Sequence, residues 1–97
     1  MAQFDVHWFS DSYVVDCQSD LVDDFGSRLV VPLLPVGPSP DAVSRLMPVF
    51  DIEGEAHIMT TPLAAGVPRR SLGRPVTSLS RQSDRIKAAF DFLLNGF

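Results

Sequence analysis

Residues 47–61 read "MPVFDIEGEAHIMTT", and this stretch decides the fold. Alternating strand-like runs lie on either side of Glu53-Gly54, so the pair reads as the loop of a β-hairpin. A two-residue hairpin loop needs positive φ at its centre, which glycine supplies without steric cost. His57 falls on the second strand.

Upstream, "QFDVHWF" at 3–9 alternates, with Phe4, Val6 and Trp8 on one face and Asp5 and His7 on the other. That pattern predicts a half-buried strand. The turn cluster "SDS" at 10–12 joins it to a second, antiparallel strand, "YVVDCQ" at 13–18. A loop follows, "SDLVDDFGS", with the apolar pair Leu21 and Val22 inside it. "RLVVPLLPV" at 28–36 is a long β-branched run. Its Pro32 has no N–H for a ladder, which predicts an edge or a bend. "GPSPDAVSRL" breaks the pattern, and Ser39 or Asp41 is placed to start one helical turn.

Downstream, "PLAAGVP" and "RRSLGRPVTSL" are short extended pieces cut by proline and glycine. Ser80 or Ser83 is suited to cap a C-terminal helix over about 81–95, with Asp84 in its first turn. At about 100° per residue, Ile86, Ala89, Phe90, Leu93, Leu94 and Phe97 share one apolar arc. Lys87, Ala88, Asp91 and Asn95 lie opposite, with Phe92 at the margin. Many strands followed by one helix imply a mainly β domain: a small antiparallel barrel or sheet capped by a C-terminal α-helix. A chain of 97 residues fits a single domain over 1–97.

The formal net charge of −4 argues against direct DNA or RNA binding, where phosphate contacts demand a basic excess. The one basic concentration is "PRRSLGR", with Arg69, Arg70 and Arg74: a solvated loop, or a docking site for an acidic peptide or phosphate. The single cysteine, Cys17, has no disulfide partner and reads as a small buried thiol in a strand. That suits a reducing compartment. The N-terminus has neither a basic nor an apolar leader region. No apolar run approaches the roughly 18 residues that span a bilayer. These features imply a cytoplasmic protein. His7 and His57 are the only histidines, and no pair of Cys or His has metal-ligand spacing. Nucleophile-elbow, phosphate-loop and dinucleotide motifs are absent.

Two stretches carry a specific resemblance. "VVDCQSDLVDDFGSRLVVPL" at 14–33 and "VSRLMPVFDIEGEAHIMTT" at 43–61 resemble the CcdB family of toxins from type II toxin–antitoxin modules. The markers are D-x-Q-S-D, then R-x-V-x-P-L, then P-x-x-x-I and M-T-T, in that order. The likeness continues through "VP" at 67–68, "LS" at 79–80 and "IKAA" at 86–89. It implies a homodimer with an SH3-like barrel and a long C-terminal helix, without enzymatic activity or a cofactor. The implied partners are DNA gyrase, through its GyrA chain, and a CcdA-like antitoxin. The gyrase–DNA cleavage complex is trapped. The antitoxin neutralises the toxin and joins it in repressing their operon, so contact with DNA is indirect.

The resemblance further implies that gyrase meets the end of the C-terminal helix. The family's best-known form ends Trp-Gly-Ile; the matching tail here is Asn95-Gly96-Phe97, so an amide replaces an aromatic ring. Segment matching adds Leu21 and Val22, and Asp91 and Leu94 one turn before the tail. Leu21 and Val22 also suit a barrel cover, and Leu94 suits the core or a dimer interface. Asp91 and Asn95 are i and i+4 neighbours and form one polar ridge. Arg69, Arg70 and Arg74 are the candidates for meeting an acidic antitoxin segment. Two rivals remain: a MazF- or Kid-like endoribonuclease, using Arg28, Arg45, His7 and His57, and a decayed homologue that binds only the antitoxin. Nothing in the sequence gathers those four residues.

Overall fold

The computed structural model describes residues 2–22, 25–37 and 45–96. The helical turn expected at Ser39 or Asp41 lies outside them, as does Phe97. Seven strands are described: β1 Asp5–Phe9, β2 Ser12–Asp16, β3 Ser27–Pro35, β4 Val49–Ile52, β5 Glu55–Met59, β6 Ala65–Pro68 and β7 Pro75–Ser78. The helix α1, Ser83–Asn95, follows, and 3-10 turns occupy Asp20–Val22, Thr61–Leu63, Arg69–Ser71 and Ser80–Gln82.

The 47–61 hairpin forms as its pattern requires: Ile52 pairs with Glu55, and Glu53 and Gly54 have φ of 53° and 84°. The β1–β2 hairpin repeats the device at Ser10 and Asp11, with φ of 49° and 68°. The short polar side chains of Ser10 and Asp11 tolerate this left-handed conformation; Glu53 enters it at a steric cost.

The strands curl into one antiparallel half-barrel in the order β4-β5-β3-β2-β1-β7, with β6 also on β3. The long β3 makes this possible. Residues 33–35 of β3 pair with β5, and residues 27–30 pair with β6. Pro32 lies where β3 changes partner rather than at a sheet edge. Its carbonyl accepts bonds from the Thr60 N–H at 3.0 Å and the Thr60 Oγ1 at 2.9 Å. The N–H that proline lacks is missing at the one point where neither partner strand continues.

The main core lies between the concave sheet and α1. Val6, Val15, Val31, Leu33, Phe50, Ile52 and Met59 meet Ile86 and Ala89 of the helix. The helix start differs from expectation. Gln82 stands at the cap position without a side-chain cap bond, because Ser80 is taken into the preceding 3-10 turn. Asp84 does occupy the first turn.

A second cluster, Val14, Val30 and Leu72, covers the other side of β1–β3. It corrects the expectation for His7. Alternation placed His7 on a solvated face, but the segment after β6 folds over that face and His7 is 0% exposed. Its Nδ1 donates to the Gly73 carbonyl at 2.8 Å, and a bulge in the β1–β7 ladder falls at Val6/His7. Trp8, on the same face as Val6 by alternation, is 53% exposed: it pairs with Tyr13 on β2, but the β7 pairing of β1 ends at His7.

Candidate partner-binding site

The D-x-Q-S-D…R marker residues form a buried polar network. Arg28 on β3 and Asp16 at the end of β2 pair at 2.7 Å, both side chains fully buried. Asp16 Oδ1 accepts the Gln18 N–H at 3.0 Å. Gln18 Oε1 accepts the Leu29 N–H at 3.0 Å, and its Nε2 donates to the Val22 carbonyl at 2.6 Å. Arg28 also donates to the Gln18 carbonyl at 3.2 Å. Ser19 Oγ accepts from the Leu21 N–H at 3.1 Å, and Asp20 Oδ1 accepts from the Gln3 N–H at 2.9 Å. Gln18 and Ser19 bond the backbone of the Asp20–Val22 turn directly, and Asp16 and Arg28 hold Gln18 in place. A buried pair is tolerated only when its remaining groups are bonded, and here they are.

The turn so fixed holds its apolar side chains outward. Leu21 is 97% exposed and Val22 41%. They do not cover the barrel, the alternative left open by the sequence. Phe25, a few residues on, is 64% exposed and was not singled out by sequence.

The helix end is the second display. Ile86 and Ala89 are its buried anchors, and Phe90 is half-buried against the same core. Beyond Phe90 the helix runs past the sheet. Asp91, Asn95 and Gly96 are exposed, and Leu94 is 75% exposed. Leu94 is thus not in the core, although the wheel put it on the apolar arc; a wheel gives direction, not what stands opposite. Gly96 takes φ 80° and donates its N–H to the Phe92 carbonyl at 2.8 Å, a left-handed C-cap. Phe92 is backed by the Arg45 guanidinium at 5.8 Å from its centroid.

Gln3 links the two displays. It bonds Asp20 and lines, with Cys17, Lys87 and Asp91, a cleft of about 190 Å³ beside the helix. Burial together with the Asp16 carboxylate pushes the Cys17 thiol up to about 12, so it stays neutral and unreactive. The three arginines sit on the segment after β6: Arg69 is half-buried with its N–H on the Gly26 carbonyl at 2.9 Å, while Arg70 and Arg74 are exposed.

The ribonuclease candidates are dispersed. Arg28 is buried on Asp16, His7 is sealed under Gly73, His57 lies at the β4–β5 hairpin, and Arg45 faces Phe92. The family model described as CcdB protein matches residues 3–96. The chain belongs to the CcdB family. CcdB proteins are toxins of toxin–antitoxin modules and act as gyrase poisons rather than as catalysts, with gyrase and an antitoxin as their general partners. The half-barrel with one C-terminal helix is consistent with the CcdB fold. Among the described residues, no helix is long and apolar enough to cross a membrane.

Proposed function

We propose that this chain is the toxin of a type II toxin–antitoxin module, which binds the GyrA chain of DNA gyrase and traps the gyrase–DNA cleavage complex. It acts in the cytoplasm as a homodimer, and a CcdA-like antitoxin neutralises it and joins it in repressing their operon. The contact surface is the helix tip, Asp91, Leu94, Asn95, Gly96 and Phe97, together with Leu21 and Val22. Arg69, Arg70 and Arg74 are offered to an acidic antitoxin segment.

The observation that carries this reading is solvent-held apolar side chains at the two places a CcdB-like toxin would use. Leu21 is 97% exposed on a turn held beside a buried ion pair, and Leu94 is 75% exposed at the helix tip. The mechanism is binding, not bond-making. A two-fold dimer presents two copies of the tip to a two-fold target. Trapping follows if that target surface exists in one conformation of gyrase, since a ligand shifts population by its differential affinity. Asn95 carries no ring to stack on a guanidinium; its amide offers hydrogen bonds instead.

The test is gyrase-dependent DNA cleavage with purified protein, run beside an RNA-cleavage assay. The unaltered chain gives cleavage complexes, and deletion of Gly96-Phe97 abolishes them. RNA cleavage with no effect on gyrase would overturn the reading in favour of a ribonuclease. Binding to an antitoxin without toxicity would mark a decayed homologue.

A further inference from the structure

We propose that the cavity between the two hairpin loops is a binding site for one arginine side chain carried by an extended partner peptide. The proposal does not rest on the gyrase reading. The cavity measures about 320 Å³ and is lined by Asp11 of the β1–β2 loop, Glu53 of the β4–β5 loop and Glu55 at the start of β5. One wall is aromatic. Trp8 meets Tyr13 edge to face at 5.0 Å and 81°, and Tyr13 meets His57 at 5.3 Å and 77°.

His57 supplies the deciding observation. It is only 4% exposed, and its Nδ1 lies 2.8 Å from the Glu55 carbonyl. A carbonyl only accepts, so Nδ1 carries a hydrogen, and the tautomer this bond selects keeps its lone pair on Nε2. No described residue bonds that Nε2, on a side chain that lines the cavity.

The remaining charges select the ligand. Among the described lining residues the ionised groups are three carboxylates, Asp11, Glu53 and Glu55, with no lysine or arginine. No three described ligand residues are close enough to hold a metal ion, which leaves an organic cation. A guanidinium fits better than an ammonium. It is flat, stacks on an exposed indole, and offers five donors to acceptors spread around a rim. Leu34 and Pro35 extend the cavity edge as an apolar shelf, suited to the side chains that flank an arginine in a peptide and of no use to free arginine.

Trp8 is the only tryptophan, so its fluorescence reports the site directly. The probe is the capped tripeptide Ala-Arg-Ala, with its lysine and citrulline counterparts, added to the full chain. Saturable change with arginine, weaker change with lysine and none with citrulline is the expected result. Glu55→Gln, at an exposed side chain, weakens binding about two- to fivefold, the scale of a surface ion pair. His57→Phe keeps the ring stack, removes the acceptor, and weakens binding by a similar factor. Equal response to lysine and arginine overturns the proposal in favour of a diffuse acidic surface. So does a response unchanged in both variants, or none at all. A Trp8 signal that varies with protein concentration without peptide assigns the cavity to a second copy of the chain and also overturns it.

Discussion

The Asp20–Val22 turn and the last turn of α1 both hold leucines in solvent, by opposite means. The turn is short and has no repeating pattern, so it needs outside support. The Asp16–Arg28 pair, Gln18 and Gln3 supply it through named bonds to its backbone and side chains. The helix end supports itself through its own ladder, and buried Ile86 and Ala89 with half-buried Phe90 hold the helix on the core. One surface is displayed by anchoring, the other by protrusion. The distinction predicts where stability and binding separate. Changes to the anchors unfold the protein, whereas changes to the displayed side chains leave it folded. A surface ordered before binding also loses less entropy when a partner arrives.

The largest expected effect is at the anchor. Arg28→Ala leaves the Asp16 carboxylate buried and unpaired and costs about 3–5 kcal/mol. Urea unfolding followed by Trp8 fluorescence measures it. A loss below about 1 kcal/mol, within the range of a surface pair, would mean the network does not anchor the turn.

That network shows where sequence legibility ends. The hairpins were legible because a period of two and a glycine loop leave one local solution, as at Glu53-Gly54. The helix was legible from its apolar arc. The buried Asp16–Arg28 pair was not, because aspartate and arginine are usually solvated and burial depends on strands twelve residues apart. His7 was misplaced for a related reason: the segment that covers it, with Leu72 as its wedge, has no periodicity of its own. For the site, the resemblance located the turn and the tip, but exposure of Leu94 depends on where the sheet stops beneath the helix. Phe25 gave no signal in sequence beyond its loop neighbours.

A second effect comes from Cys17, between the anchor and the helix cleft. Its folded-state thiol is raised from 9.0 to about 12 by burial and by the Asp16 carboxylate. The stability this provides is full below the unfolded value and is lost as pH rises from about 9 toward 12. In the unfolded chain the thiol ionises first, which favours unfolding. Near pH 10.5 the loss is about 2 kcal/mol by linkage. Tyrosine and lysine titrate in the same window, so the measurement is the difference in pH dependence between the native chain and Cys17→Ala. Parallel curves would show that the thiol is solvated, and that the cleft beside Gln3 is looser than the anchored turn requires.

The smallest effect on stability is at the displayed leucines, and there the contrast is tested most directly. Leu21→Ser removes a side chain in water on an anchored turn; Leu94→Ser removes one in water on a self-supporting helix. Neither buries or exposes core surface, so each shifts unfolding free energy by no more than about 0.5 kcal/mol. If the two leucines serve a partner, both variants nonetheless weaken gyrase-dependent cleavage, because each removes apolar surface that binding would take out of water. The two surfaces are also distinguishable from each other. An anchored turn presents one geometry, so Leu21→Ser should act mainly on the rate at which the complex dissociates. Loss of stability at Leu21 comparable to that of Arg28→Ala would mean the leucine belongs to the fold. Retained cleavage in both variants, with stability unchanged, would detach these exposed side chains from gyrase altogether.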